Sequence, residues 1–414
     1  MVQRKSTGAR SRTFALVDTG LAKLMELRVE LISRLFEREE VVETGINALV
    51  SRHHHLQLGP HGTGKTMLSR AIAEAIQGAV YLRKLLTRTM TMDELFGPPS
   101  FKGFQNDQYR RAVEGFIPTC HILTLEEFFK CSDSILNGLL EVMNERTFTN
   151  GIEMINIPLM AIFTSSNELY ESDSLLPLYS RITFRHVVPY LKEKDNFLKM
   201  VDDSVNRRQP DTARIGLTVQ ELTAVQDTVW SVTLNGDAGE ILWTIRTGLA
   251  TEGIIMDDRK AAWLAETVVR PQALLAGRSV VEADDFSILT HCLWDQPKDR
   301  QAVASVILKI TNPMLEVANK AVDTVQRLYE EAAQFERATP NDTTNAVFKK
   351  WSDAAGLGRT EIMALRKKVK EVSGNSKETL ETALKKCRAI QERILSEGIG
   401  AAPRETEEDS DESE

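Results

Sequence analysis

The residues best suited to chemistry stand at positions 59–66. Gly59-Pro60-His61-Gly62-Thr63-Gly64-Lys65-Thr66 follows an apolar run ending at Leu58 and precedes Met67, Leu68, Ala71 and Ile72, spaced as on a helix. A glycine-rich turn between a strand and a helix lets backbone N–H groups point inward around an anion. Lys65 supplies a point charge to the outer phosphates of a nucleoside triphosphate, and the Thr66 hydroxyl is a ligand for Mg²⁺. Gly59 to Met67 is therefore the expected nucleotide-binding segment, with ATP and Mg²⁺ as the expected ligands.

Such a loop needs a second strand that ends in carboxylates. Ile122-Leu123-Thr124-Leu125-Glu126-Glu127 supplies one about sixty residues downstream. The first acid, Glu126, is expected to hold Mg²⁺ and the second, Glu127, to polarise the attacking water. Glu126 stands where P-loop enzymes use Asp, and the added methylene lengthens the reach by about 1.5 Å. A third apolar run, Leu159 to Thr164, leads into Ser165-Ser166-Asn167-Glu168. It places Asn167 at the sheet edge where open α/β sheets bind ligands, able to orient water or to form a turn.

These residues need a frame to position them. Short apolar runs alternate with amphipathic helical stretches from Leu56 to about Arg185, the pattern of an α/β fold with a parallel sheet flanked by helices. The strands expected are Leu56–Leu58, Ile122–Leu125 and Leu159–Thr164. Leu24, Leu27, Leu31 and Leu35 predict a helix leading into them, and Ser132 or Asp133 caps the helix carrying Ile135, Leu136, Leu139, Leu140 and Met143. From Leu191 to Asp295 the pattern is helical alone. Two further seams, Leu315, Ala318, Val322, Val325, Tyr329 and Leu380, Ala383, Cys387, Ile390, Ile394, predict a helical hairpin or bundle. The expected division is a flexible 1–20, an α/β nucleotide-binding domain at 21–190, an all-α lid at 191–297, a helical domain at 298–399 and a disordered acidic tail at 400–414.

Composition excludes several classes. With 414 residues, 42% hydrophobic and 27% charged, the chain can fill more than one core, and it contains no apolar run long enough to cross a bilayer. Its basic, polar start does not resemble a secretory signal, so a cytoplasmic location is expected. The net charge of −8 is concentrated in Arg404–Glu414, with seven carboxylates against one arginine. The near-neutral remainder gives no electrostatic footprint for nucleic acid. Four scattered cysteines, Cys120, Cys131, Cys292 and Cys387, fit neither a zinc site nor a disulfide framework and are expected as reduced thiols. His53, His54 and His55 alternate faces in a strand and cannot all ligate one ion. The basic runs at 366–370 and 385–388 are expected as solvated helix faces.

The succession Leu58-Gly59-Pro60, Glu94-Leu95-Phe96-Gly97-Pro98, Gly115-Phe116-Ile117-Pro118, Ile135-Leu136-Asn137, Asn144-Glu145-Arg146 and Ser166-Asn167-Glu168 resembles the MoxR family of AAA+ ATPases, the RavA-like branch in particular. Asp258-Arg259, Gly277-Arg278 and Cys292-Leu293-Trp294 resemble the lid of that branch. The resemblance implies a P-loop AAA+ core, a helical lid and a ring, usually a hexamer, with ATP hydrolysed between subunits. It assigns sensor 1 to Asn167, the arginine finger to Arg181 with Arg185 as the rival, and sensor 2 to Arg259. It also implies an insertion within Phe96 to Phe116, a hairpin near Phe148 to Ile157, and a chaperone-like action on a protein partner, such as one bearing a von Willebrand factor A domain. A nucleotide-gated scaffold and a nucleic-acid motor are the alternatives.

Overall fold

Strands buried along their whole length, instead of at every second residue, mark a parallel sheet covered on both faces. All four residues of His55–Leu58 and all six of Ala161–Ser166 are buried, as are the first four of Ile122–Glu126. The computed structural model describes residues 3–169, 176–206, 215–339, 345–372 and 374–400, so residues 401–414 of the expected tail lie outside the described part. The chain divides into two compact units, Met1–Val303 and Ala304–Glu414.

The first unit begins with α1 (Gln3–Arg34), α2 (Glu39–Val50), β1 (His55–Leu58), α3 (Lys65–Ala75), β2 (Ile76–Gln77) and β3 (Tyr81–Leu85). It continues through α4 (Met92–Phe96), α5 (Phe101–Phe104), β4 (Ile122–Glu126), α6 (Asp133–Glu145), β5 (Thr147–Asn150), β6 (Glu153–Asn156), β7 (Ala161–Ser166), α7 (Leu176–Tyr179) and β8 (Phe184–Val187). Then follow α8 (Lys194–Asn206), β9 (Leu217–Thr218), α9 (Val219–Thr228), α10 (Ala238–Thr251), α11 (Asp258–Leu264) and α12 (Arg270–Leu275). The strands β3-β4-β7-β1-β8 form one sheet, parallel throughout. In this order β4, β7 and β1 are neighbours, so their C-terminal ends deliver Glu126, Asn167 and the glycine-rich loop to one edge.

Helix α1 begins at Gln3, and its later turns pack on α9. Leu24, Leu27 and Leu31 are buried there, and Lys23 Nζ donates to Glu221 and to the Gly216 carbonyl at 2.8 Å. Two features differ from expectation. The region after Leu191 is not helical alone, since β9 pairs in parallel with β2. Strands β3 and β8, unannounced by any clean alternation, occupy the sheet's two edges.

The expected hairpin is present as the antiparallel pair β5 and β6. The expected insertion folds against it: Arg110 pairs with Glu153 at 2.9 Å, and the Arg111 N–H donates to Asn150 Oδ1 at 2.6 Å. At Gly151, a Cβ would stand 2.2 Å from the Tyr109 carbonyl oxygen, so only glycine permits this close approach.

α13 (Arg300–Thr311) spans the division between the units, and α14 (Pro313–Ala338), α15 (Ala346–Glu371) and α16 (Gly374–Arg393) follow. These last three pack on one another around Val325, Trp351, Leu365, Leu380, Cys387 and Ile394. The second expected seam lies in that core entirely and the first does so from Ala318 onward, joined by a third from α15.

Candidate nucleotide site

The glycine-rich turn has the backbone its sequence demands. Gly62 and Gly64 hold φ of +77° and +79°, and Gly59 passes so near β8 that a Cβ would lie 2.2 Å from the Val188 carbonyl oxygen. Helix α3 starts at Lys65, so its unpaired N–H groups open toward the loop. Lys65 Nζ donates to the carbonyls of Gly59 at 2.6 Å and Pro60 at 2.7 Å, and to Asn167 Oδ1 at 3.1 Å. Burial lowers the Lys65 pKa from its ordinary value, against the opposing pull of Glu127 and Glu126.

The two acids occupy different positions. Thr66 Oγ1 donates to Glu126 Oε1 at 2.5 Å, so the longer side chain does reach the threonine. Burial alone would raise the Glu126 pKa, but hydrogen bonds from Arg83 and Thr66 and the charges of Arg83 and Lys65 outweigh it and hold the group below its ordinary value. Glu127 sits in the left-handed region, φ 53° and ψ 45°, which turns its side chain away from the strand direction. Its Oε1 accepts from Asn167 Nδ2 at 3.0 Å. Its Oε2 is buried without a hydrogen-bond partner, although Lys130 Nζ stands at ion-pair range, 3.0 Å, outside hydrogen-bond alignment. Asn167 thus bridges Lys65 and Glu127, and its Nδ2 also lies 2.6 Å from His61 Nε2.

An ionised carboxylate beside a hydroxyl is a hard-oxygen pair suited to Mg²⁺, and the Glu127 carboxylate, held by Asn167 and ion-paired with Lys130, is suited to accept a proton from water. Thr66 and Glu126 fit the first role and Glu127 the second. Sequence reasoning missed Arg83, whose Nε and Nη2 each lie 2.9 Å from a Glu126 oxygen. The signal that could have found it is an arginine in the strand next to the acidic one.

The arginines separate clearly. Arg185 is 1% exposed: it pairs with Asp295 at 2.8 Å, donates to the Ile182 and Trp294 carbonyls and stacks on Tyr179 at 4.3 Å. It is committed to its own core and cannot serve as a finger. Arg181 donates to Asn144 Oδ1 at 2.5 Å and to the Pro177 carbonyl, and lines a 570 Å³ cleft with Arg52, Arg146 and Trp263 that includes none of residues 59–67. Arg259 is exposed on the first turn of α11, and among the described residues no hydrogen bond or ion pair joins it to the phosphate loop. In the Ile135-Leu136-Asn137 motif only Ile135, a buried residue, has a described side chain.

A 300 Å³ cavity borders the loop where Val188 meets it, lined also by Glu37, Arg38, Val41, Pro189 and His291. At its wall, Glu40, His186 and His291 bring potential ligand atoms within 4.8 Å of one another. The two imidazoles stack at 4.3 Å and 26°, so their lone pairs run side by side instead of converging, and the charge of Arg300 bears on both rings. That arrangement does not make a cation cage. None of the four cysteines forms a disulfide, and burial pushes Cys120 and Cys292 up to about 12.

Known proteins match both halves of this unit. Residues 22–227 match the MoxR domain found in MoxR-vWA-beta-propeller ternary systems, and residues 237–307 match an AAA lid domain. The uncharacterized protein MJ0079 of Methanocaldococcus jannaschii is 34% identical over 75% of this chain and 80% of its own length. A second protein of that organism, MJ0812, is 35% identical over 70% of this chain and 76% of its own. The chaperone protein ClpB of Lactococcus lactis is 26% identical over 46% of this chain and 25% of its own. A solved structure of a candidate ATPase from Cytophaga hutchinsonii superposes with a TM-score of 0.57 at 16% identity, covering 74% of this chain and 98% of that one, which speaks to fold alone.

Proposed function

The chain belongs to the MoxR family of AAA+ ATPases, and on that premise we propose that it binds and hydrolyses ATP as one subunit of a ring, hexameric in the expected form, and transmits the motion to a protein partner. The observation that carries this reading is the Asn167 bridge between Lys65 and Glu127, beside the Thr66–Glu126 contact. It gathers a phosphate cation, a water-orienting amide, a base and a metal-binding pair at one sheet edge.

When ATP enters, Lys65 exchanges the Gly59 and Pro60 carbonyls for phosphate oxygens, and the N-terminus of α3 faces the same charge. Thr66 and Glu126 would hold Mg²⁺, which neutralises charge on the phosphates. Glu127 accepts the proton of the attacking water, whose position Asn167 fixes. Arg181 and Arg259, neither engaged with the loop of its own chain, act as the finger on a neighbouring subunit and as sensor 2; an arginine supplied this way makes turnover depend on assembly.

The partner we favour bears a von Willebrand factor A domain, in keeping with the ternary systems in which the matching MoxR domain occurs. A RavA-like, chaperone-type remodelling role in the cytoplasm fits the same reading. Among the described residues no helix is long and apolar enough to cross a membrane. A second reading is a nucleotide-gated scaffold that hardly hydrolyses because the longer Glu126, in place of aspartate, misplaces Mg²⁺. Phosphate release separates the two. The wild-type chain should turn over and Glu127→Gln should fall at least about 100-fold while still binding ATP; equal rates would leave the scaffold.

A further inference from the structure

Arg83 and Glu126 are joined by the register of two neighbouring strands. In the β3–β4 ladder Arg83 lies opposite Thr124 and Leu85 opposite Glu126, so Arg83 and Glu126 are diagonal neighbours on one face. Tyr81 makes the same diagonal step, its hydroxyl 3.2 Å from Thr124 Oγ1. The guanidinium meets the carboxylate as a fork, Nε to Oε1 and Nη2 to Oε2, both at 2.9 Å, while Thr66 takes a further position on Oε1. Three directed bonds fix a side chain that has one more rotatable bond than the aspartate used by P-loop enzymes.

We propose that Arg83 is a positioning residue that compensates for the longer Glu126, holding its carboxylate against Thr66 so that the pair presents a defined site to Mg²⁺. Half of the Arg83 side chain is in solvent, 55% against 15% for Glu126, so the ion pair contributes little through charge alone. Its effect is geometric: a fork fixes both oxygens, where an ammonium would fix one. The inference rests on the nucleotide reading of this site and names a component that reading does not require.

The test is binding, with turnover as a second measurement. Mg²⁺ is titrated against the full-length chain holding a fluorescent non-hydrolysable ATP analogue, with affinity in EDTA measured in parallel. Loss of a partner that orients a metal ligand costs about 10- to 100-fold in metal affinity. Arg83→Met should therefore raise the Mg²⁺ midpoint at least about tenfold, and Arg83→Lys, which keeps the charge without the fork, should recover only part of this. Affinity in EDTA should stay within about twofold in both, which also reports that the fold and loop are intact. In a Glu126→Asp background, Arg83→Met should shift the midpoint less than about threefold. An unchanged or lowered midpoint in Arg83→Met, full recovery by Arg83→Lys, or an equal shift in the Glu126→Asp background overturns the proposal; if Arg83→Met does not fold, the Arg83→Lys midpoint decides. Wild-type protein that binds no analogue at all would instead sink the nucleotide reading itself.

Discussion

Lowering the pH from 7.5 to 5.5 is expected to remove several kcal/mol of the stability of the Met1–Val303 unit. Four of the seven histidines, His53, His54, His55 and His186, are buried and His291 is half-buried, and all five are held neutral. Burial, helped by neighbouring charge, lowers His53 and His55 to about 3 and His54 and His291 to about 4, and holds His186 well below its ordinary value. The hydrogen bonds agree. The Ile162 N–H donates to His54 Nδ1 at 3.3 Å, leaving Nε2–H for the Met143 carbonyl at 3.1 Å, so a second ring proton would break the first bond. Thr44 Oγ1 donates to the Glu40 carbonyl and accepts from Nε2 of both His55 and His186, leaving His55 Nδ1 buried with no acceptor to receive a proton.

The unfolded chain titrates near pH 6.5, so between that value and about pH 4 it binds protons that the native state refuses, and stability falls as pH falls. At pH 5.5, one unit below the unfolded value, each such histidine costs on the order of 1 kcal/mol, several kcal/mol for the four with the lowered values given, and His186 adds in the same direction. Against a native stability of about 5–15 kcal/mol this is decisive. Urea unfolding followed by circular dichroism should show the midpoint of this unit falling by about 2 M. A midpoint unchanged within about 0.3 M, or resonances of these five imidazoles titrating near 6.5 in the folded protein, would refute the reasoning.

The two rival arginines should part under substitution. Arg181→Ala should leave the melting temperature nearly unchanged and cut steady-state hydrolysis about 1000-fold without loss of nucleotide affinity, as for a charge offered to a neighbouring site. Arg185→Ala should destabilise by about 2–3 kcal/mol in chemical unfolding, because it strips donors from buried carbonyls and empties a packed site against Tyr179. Gly59→Ala drives a methyl toward the Val188 carbonyl oxygen and should weaken binding of a fluorescent nucleotide at least about tenfold; wild-type affinity would show that loop and β8 can separate freely.

The sequence by itself determined the local parts of this protein. The spacing of three glycines, Lys65 and Thr66 needs one continuous turn, the acidic pair needs one strand end, and the leucine and alanine seams report a helical period over a few turns; each is a neighbour effect that eight to fifteen residues contain. The tertiary structure decided whatever depends on which strands lie side by side. Arg83 and Glu126 are 43 positions apart and meet only through the β3–β4 register, and β3 itself carries no alternation that announces an edge strand. Arg185 and Arg181 lie four residues apart and look alike as letters, yet one is enclosed by Tyr179, Trp294 and Asp295 and the other faces a cleft. The alternation of His53, His54 and His55 is written along the chain, whereas the stacking of His55 on His186 and of His186 on His291, and the Thr44 hydroxyl that His55 and His186 share, depend on segments arriving from other elements. Periodicity is written along the chain; burial and pairing exist only once distant segments share a surface.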